Sequence, residues 1–297
     1  MTSSSAEQFA IGFDIGGTKI EGAVVSSSGR VLRSERVATP SDYNDNKYAI
    51  LELITKLQGP EKILGVGFGI PGSVDPKTGI LRNAPNSPAI NNTPFFTELK
   101  RIADFSVRYE NDANCLILSE VRYGAAKGAA DAVGIILGTG VGSGVVLGGK
   151  IYSGIRGLAP ELGHSILDVN GRQCLCGNLG CVEAYLSGPS ILKRYHDAGG
   201  NPDVMRTEDI FILHDDPIAV KTVRETIYFF ARVMAEIVSL YDPQVIVLGG
   251  GLSLQKSFYE CGDEIARYVF GSNSAPPIVP AQNGDSSGKL GAASLFF

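Results

Sequence analysis

Residues 11–25, IGFDIGGTKIEGAVV, lie over residues 133–147, VGIILGTGVGSGVVL, at a constant offset of 122, with Gly12, Gly16 and Gly22 falling on Gly134, Gly138 and Gly144. In both stretches an apolar run closes on a glycine-rich turn and a second apolar run follows, the pattern of two strands joined by a hairpin. The parallel extends downstream. Helical spacing over Tyr43–Gln58 leads to the apolar run Ile63–Ile70 and Pro71-Gly72; a helix over Pro217–Leu240 leads to Gln244–Leu248 and Gly249-Gly250-Gly251. Self-similarity at this spacing predicts two like α/β domains facing each other across a cleft. Coincidence is the alternative, because apolar residues and glycines make degenerate patterns. A chain of 297 residues is long enough for one large domain or two medium ones.

In the first half, Phe9–Asp14, Ile20–Val25 and Arg30–Val37 read as strands, with Ser28-Gly29 turning between the last two. Ile50, Leu53, Ile54 and Leu57 give the helix over 43–58 its apolar face. A loop-rich stretch with Pro76, Pro85, Pro88 and Pro94 follows, ending in a short helix from Phe95. Ser106–Glu110 is a last strand, and Asn111 or Asp112 could cap the helix after it.

Two glycine hairpins at matching places point to a phosphate clamp. In DIGGTK, Gly16 and Gly17 expose backbone N–H groups, Thr18 and Lys19 add a hydroxyl and a positive charge, and Asp14 is placed to hold magnesium through water. In LGTGVGSG, Gly138, Thr139 and Gly140 offer the same kind of donor nest. Neither loop matches GxxxxGK[ST] or GxGxxG. The pair points to a nucleoside triphosphate held between domains. Asn111-Asp112 reads either as a helix cap or as the carboxylate that takes a proton from an attacking hydroxyl. Phosphoryl transfer needs in-line positioning and charge neutralisation, which one aspartate and one magnesium supply.

Between Glu161 and Glu183 the chain holds His164, Cys174, Cys176 and Cys181, three of its five cysteines. Thiolates and imidazole are the ligands of tetrahedral zinc, and four of them close a structural site with no open position for catalysis. The alternative is three buried thiols and an unrelated histidine. Glu161 and Glu183 flank the cluster, either as solvated charges or as acceptors for the hydroxyls of a polyol. Cys115 and Cys261 read as inert core residues. A net charge of −5 gives no basic footprint for nucleic acid. No apolar run reaches membrane-spanning length, and MTSSSAEQ lacks the pattern of a signal peptide, so the expected compartment is the cytoplasm, where thiols stay reduced.

DIGGTK, GIPG (69–72), ENDAN (110–114), LGTGVGSG, ELGH (161–164), CLCGNLGCVE (174–183), LGGGLS (248–253) and GDSSGKLGAA (284–293) span almost the whole chain. Together they resemble the ROK family of sugar kinases, within the actin/hexokinase-like ATPase superfamily. The resemblance implies an α/β fold of two duplicated ribonuclease-H-like domains flanking a cleft, with a zinc-binding insertion at 161–183. The domains are expected at 1–115 with the terminal helix 287–297, and at 116–286. The implied reaction is transfer from MgATP to the 6-hydroxyl of a hexose. By motif, Asp112 resembles the general base; Asn86, Asn111, Glu161, His164 and Glu183 resemble the sugar contacts. Gly249, Gly250 and Gly251 would line the adenosine pocket, and His164, Cys174, Cys176 and Cys181 match the zinc ligands.

The branch most resembled is that of bacterial fructokinases, mannokinase-like, so fructose is the expected acceptor. Glucokinases and N-acetylglucosamine or N-acetylmannosamine kinases are the alternatives. A homodimer is implied by the family. ROK repressors share the core but carry a helix-turn-helix of dozens of residues, for which the eight residues before the first strand leave no room. A sugar-binding protein without turnover is the remaining alternative, against which the intact Asp14, Asp112 and both glycine hairpins speak.

Overall fold

A computed structural model describes residues 7–271 and 274–297; residues 1–6 of the opening segment MTSSSAEQ, discussed above for its lack of a signal pattern, lie outside them. The chain forms two compact units. One comprises the chain up to Gly128, Ile151–Ala159 and Gln282–Phe297; the other comprises Ala129–Lys150 and Pro160–Ala281.

The first unit begins with β1 (Phe9–Ile15), β2 (Lys19–Ser26), β3 (Val31–Ala38), α1 (Tyr43–Leu57) and β4 (Ile63–Ile70). A small hairpin follows, β5 (Ser73–Val74) and β6 (Leu81–Arg82), then α2 (Phe95–Ile102), β7 (Val107–Asn111) and α3 (Asp112–Tyr123). The five-stranded sheet has the order β3-β2-β1-β4-β7. Strands β1, β2 and β3 pair antiparallel, while β4 pairs parallel with β1 and β7. Helix α1 forms where the sequence spacing places it: Asp42 accepts from the Asn44 and Asp45 N–H groups at its N-cap, and Ile50, Leu53, Ile54 and Leu57 are buried. Each such side chain contributes about 1.5–3 kcal/mol by leaving water. Phe13 stacks on Phe68 with ring centroids 5.3 Å apart, joining β1 to β4 beneath that helix layer.

The second unit runs β8 (Ala132–Leu137), β9 (Val141–Leu147), β10 (Lys150–Ile151), α4 (Glu183–Leu186), α5 (Gly188–Asp197), α6 (Thr207–Ile210), α7 (Pro217–Tyr241), β11 (Val245–Gly249), α8 (Gly262–Ala266) and β12 (Ile278–Pro280). Its sheet has the order β10-β9-β8-β11-β12, with β8 antiparallel to β9 and parallel to β11. The 25-residue α7 starts at Pro217, with Asp216 as N-cap, and buries Phe230, Val233, Met234 and Ile237.

The last helix, α9 (Ser287–Ser294), belongs to the first unit and lies on β1, β4 and α3. The approach is so close that a Cβ at Gly12 would sit 1.9 Å from the Lys289 carbonyl, and one at Gly67 1.9 Å from that of Ala292. Only glycine leaves room for the helix backbone at those two positions. Helix α3 runs unbroken from Asp112 to Tyr123 within the first unit. Among the described residues, no helix is long and apolar enough to cross a membrane.

Candidate functional site

The first unit gathers one set of the residues singled out in the sequence. The β1–β2 turn is closed by the Gly16 N–H donating to the Lys19 carbonyl at 2.9 Å, and Thr39 Oγ1 donates to the Gly16 carbonyl at 2.7 Å. Its tip, Gly17 and Thr18, is exposed. A Cβ on Gly17 would lie 2.2 Å from the Asn86 carbonyl, so the turn rests on the loop that carries Asn86. Asp14 stands at the end of β1, its carboxyl against Gly288 of α9.

Asn111 caps α3: its Oδ1 accepts from the Ala113 N–H at 2.9 Å, while its Nδ2 donates to the Gly72 carbonyl at 3.0 Å. The capping question left open by the sequence is thereby answered, and the Asp112 side chain remains solvent-accessible at the first helical position. Glu110 orders this corner. It accepts from the Asn111 N–H at 2.8 Å, from Asn114 Nδ2 at 3.0 Å and from Ser153 Oγ at 2.5 Å. Sequence reasoning gave Glu110 no role, although it opens the ENDAN run; its bond to Ser153, 43 residues away, has no local signal.

Dehydration by the surrounding protein raises the Asp112 carboxyl above its ordinary range, opposed by the N–H groups of Ala113 and Asp112 itself. Asp14 is pushed up to about 6, by burial first and then by the neighbouring charge of Asp112, with Lys19 opposing. A buried carboxylate at Asp14 with the charge of Asp112 beside it fits a magnesium ion, which takes one or two carboxylates together with phosphate oxygens. A pH dependence follows. Below about pH 4 Asp14 is protonated in folded and unfolded chains alike. Between there and pH 6 the folded chain keeps a proton that the unfolded chain has released, so stability falls as pH rises. In metal-free buffer Asp14→Asn should therefore gain on the parent by on the order of 3 kcal/mol at pH 7 and by little at pH 4. Urea unfolding of both proteins across that range checks it; parallel curves would refute it.

The second unit gathers the other set. The Gly138 N–H donates to the Gly140 carbonyl at 3.0 Å, closing the β8–β9 turn with Thr139 exposed at its tip. A Cβ on Gly250 (φ +84°) would lie 2.3 Å from the Leu137 carbonyl, so Gly249, Gly250 and Gly251 pass directly beside this turn. The Val141 N–H donates to Glu183 Oε2 at 3.0 Å. The short turn bearing His164 packs on the same strand, Gly163 being tight against the Val141 carbonyl. Glu161 is exposed just before it, on a segment tied down by the Leu162 N–H donating to Ser143 Oγ at 3.1 Å.

His164, Cys174, Cys176 and Cys181 present ligand atoms that all lie within 4.8 Å of one another. Cys174 Sγ is 3.8 Å from His164 Nδ1, and Cys176 Sγ is 3.6 Å from Cys181 Sγ. A tetrahedral ion with bonds of about 2.3 Å to sulfur sets ligand–ligand edges of about 3.8 Å, and the cluster has that size. The sulfurs are too far apart for a disulfide, which needs about 2.05 Å. The loop is shaped around this knot: at Gly180 (φ +74°) a Cβ would fall 1.6 Å from the Asp168 carbonyl. Glu183 Oε1 lies 3.9 Å from Cys174 Sγ, so one carboxylate touches both the cluster and the glycine hairpin.

Comparison with known proteins gives these halves a context. The ROK family model matches residues 10–297. An N-acetyl-D-glucosamine kinase from Haemophilus influenzae is 38% identical over 96% of this chain and 98% of its own. A glucokinase from Thermotoga maritima is 32% identical over 96% of both. In structure, the chain resembles a ROK hexokinase from Thermus thermophilus with a TM-score of 0.87 at 33% identity, over 97% of each chain. None of these supports the preference for fructose drawn from the sequence. The motifs that carry the resemblance line the turns and the His/Cys cluster, whereas sugar choice depends on pocket walls outside them.

Proposed function

The chain belongs to the ROK family of sugar kinases and is an ATP-dependent sugar kinase, and we propose that its acceptor is N-acetyl-D-glucosamine, phosphorylated at the 6-hydroxyl with Asp112 as general base. The observation that carries the choice of sugar is the 38% identity to an N-acetyl-D-glucosamine kinase along nearly the full length of both chains. Glucose is the second reading, favoured by the Thermotoga glucokinase at 32% identity.

In this reading Asp112 Oδ takes the proton of the sugar 6-hydroxyl as its oxygen bonds to the γ-phosphorus and the bond to the β–γ bridging oxygen breaks, releasing ADP. A carboxyl held above its ordinary range is a stronger base than one within that range, which suits it to a hydroxyl. Gly16, Gly17, Thr18 and Lys19 would bind phosphate oxygens, as would Gly138, Thr139 and Gly140, with Gly249–Gly251 along the adenosine. Asp14 would hold magnesium, which when bound neutralises charge on the transferring phosphate. Asn86, Asn111, Glu161, His164 and Glu183 bind the sugar. Zinc on His164 Nδ1 and the three thiolates would fix the ring so that its other nitrogen meets the sugar.

Duplication of the two domains, with 287–297 returning to the first, belongs to the same reading; the first domain runs on past the division expected at 115, since α3 continues unbroken to Tyr123 within that unit. The duplication is supported by the order of strands, β3-β2-β1-β4-β7 beside β10-β9-β8-β11-β12, and by their inner polarity: β1 is antiparallel to β2 and parallel to β4, as β8 is antiparallel to β9 and parallel to β11.

ATP-coupled turnover against N-acetylglucosamine, glucose, N-acetylmannosamine, mannose and fructose tests the assignment. N-acetylglucosamine should exceed fructose in kcat/KM by about 100-fold or more, the discrimination expected where buried polar groups are left unpaired by a wrong ligand. Fructose as the best acceptor would overturn it, and glucose as the best would establish the second reading.

A further inference from the structure

The face of the β1–β2 hairpin under α9 carries an arrangement that the reaction as described does not use. Asp14 and Glu21 are direct cross-strand partners, so their side chains point to the same face. Lys19, two residues before Glu21, points there too. Like charges directly opposite each other destabilise a strand pair, so this face needs compensation. It has two cations. Lys19 Nζ lies 3.3 Å from Glu21 Oε2, and Lys289 Nζ, reaching down from α9, contacts Glu21 Oε1. Burial pushes the Glu21 carboxyl up, but Lys289 and then Lys19 hold it below its ordinary range.

The two lysines are not equivalent. The Lys289 side chain is 8% exposed and that of Glu21 14%, whereas Lys19 is 39% exposed. A buried carboxylate with one partner removed is an uncompensated charge, which is strongly destabilising, while an exposed ion pair is weak and easily exchanged. Had Glu21 only Lys19, the phosphate-binding ammonium would be tied to it. Lys289 cannot drift away, because α9 is locked on the sheet with the Lys289 carbonyl filling the place of a Gly12 side chain and Gly288 pressed on the Asp14 carboxyl.

We propose that Lys289 is a positioning residue: the permanent counter-charge of Glu21, which frees Lys19 to leave that carboxylate for the γ-phosphate of ATP. The inference rests on the assignment of Lys19 to phosphate binding. No contact of Lys289 with nucleotide is involved. When Lys19 moves to phosphate, Glu21 keeps a buried partner; when ADP leaves, Lys19 returns to it.

A mutant cycle in the full-length enzyme tests this, reading the KM for MgATP at saturating sugar and the KM for the best sugar of the panel separately. Lys19→Met should raise the MgATP KM about tenfold, the worth of one hydrogen bond to a charged group. Lys289→Met should raise it about as much with little change in the sugar KM, because Lys19 is then held by Glu21. The double variant Lys19→Met/Lys289→Met should be no worse than either single one, whereas two independent contributions would multiply. Lys289→Arg should restore the parent value, and so should Glu21→Gln added to Lys289→Met.

Lys19→Met without effect would overturn both this inference and the phosphate assignment beneath it. A tenfold effect of Lys19→Met with none from Lys289→Met would overturn the inference alone. So would multiplicative losses, or a rise in both KM values that Glu21→Gln does not reverse. Should Lys289→Met fail to fold, Glu21→Gln/Lys289→Met carries the test by itself: a parent-like MgATP KM that still rises about tenfold on adding Lys19→Met is expected, and a raised KM before that addition overturns the inference.

Discussion

Asp112→Asn lowers kcat by about 10²–10⁴-fold, the range by which a positioned general base accelerates proton transfer, and leaves sugar affinity within about threefold, less than 1 kcal/mol. The exchange is nearly isosteric and removes only the basic oxygen. It spares the helix: the Ala113 N–H donates to Asn111 Oδ1 as well as to Asp112 Oδ1, so α3 keeps its N-cap bond and its first turn. It also spares Asp14, whose raised carboxyl owes part of its shift to the charge of Asp112 and should titrate lower in the variant. Turnover measured with ATP together with sugar binding by calorimetry separates the two effects. A variant with near-normal kcat would dismiss Asp112 as base, and one that no longer binds sugar would place it among the sugar contacts instead.

Cys176→Ser should release the metal and weaken sugar binding by about tenfold or more, in a protein that stays folded. The reasoning runs through the second unit. Its core is built on α7, with Phe230, Met234 and Ile237 buried, and does not need the exposed Cys176. The loop from Glu161 to Glu183 is anchored at its base by the buried Leu162 and Val182, but towards its tip Val169, Leu175 and Leu179 are exposed, and there the four ligand atoms add to the bridges Ile166–Cys181 and Gln173–Leu179. Freed of metal, Glu161, His164 and Glu183 lose their fixed spacing. Because Glu183 also accepts from the Val141 N–H, the MgATP KM should rise in the same variant. Elemental analysis of the parent should find about one zinc per chain, the stoichiometry of a four-ligand site. Full activity in a metal-free preparation would end the claim, as would an unchanged sugar affinity in a folded variant.

The local grammar of the chain carried much of the fold. Apolar runs ending in glycine located β1, β2, β4 and β11, and periodicity located α1 and α7, because each pattern is written within a few neighbouring residues. The β5–β6 hairpin, α4, α6 and β12 have no comparable pattern; they are short, and tertiary context decides them. The candidate site divides in the same way. Glycine turns and the cysteine spacing are legible, since the chemistry demands those residue types. The second contact of Glu183, across 42 residues, and that of Lys289 with Glu21, across 268, are products of packing and leave no mark in either neighbourhood. The preference for fructose failed for the same reason. Shared motifs describe how a hydroxyl and a triphosphate are held, not which ring bears the hydroxyl.

The inlay of α9 on β1 and β4 also has a consequence for synthesis. Strand β1, translated before the second unit, is roofed by a helix translated only after the entire second unit. Until then the nascent first sheet presents a bare stripe at Gly12 and Gly67 with Asp14 and Glu21 uncompensated by Lys289. Domains ordinarily mature in the order they are made; here the earlier one cannot close its last face until the later has been made.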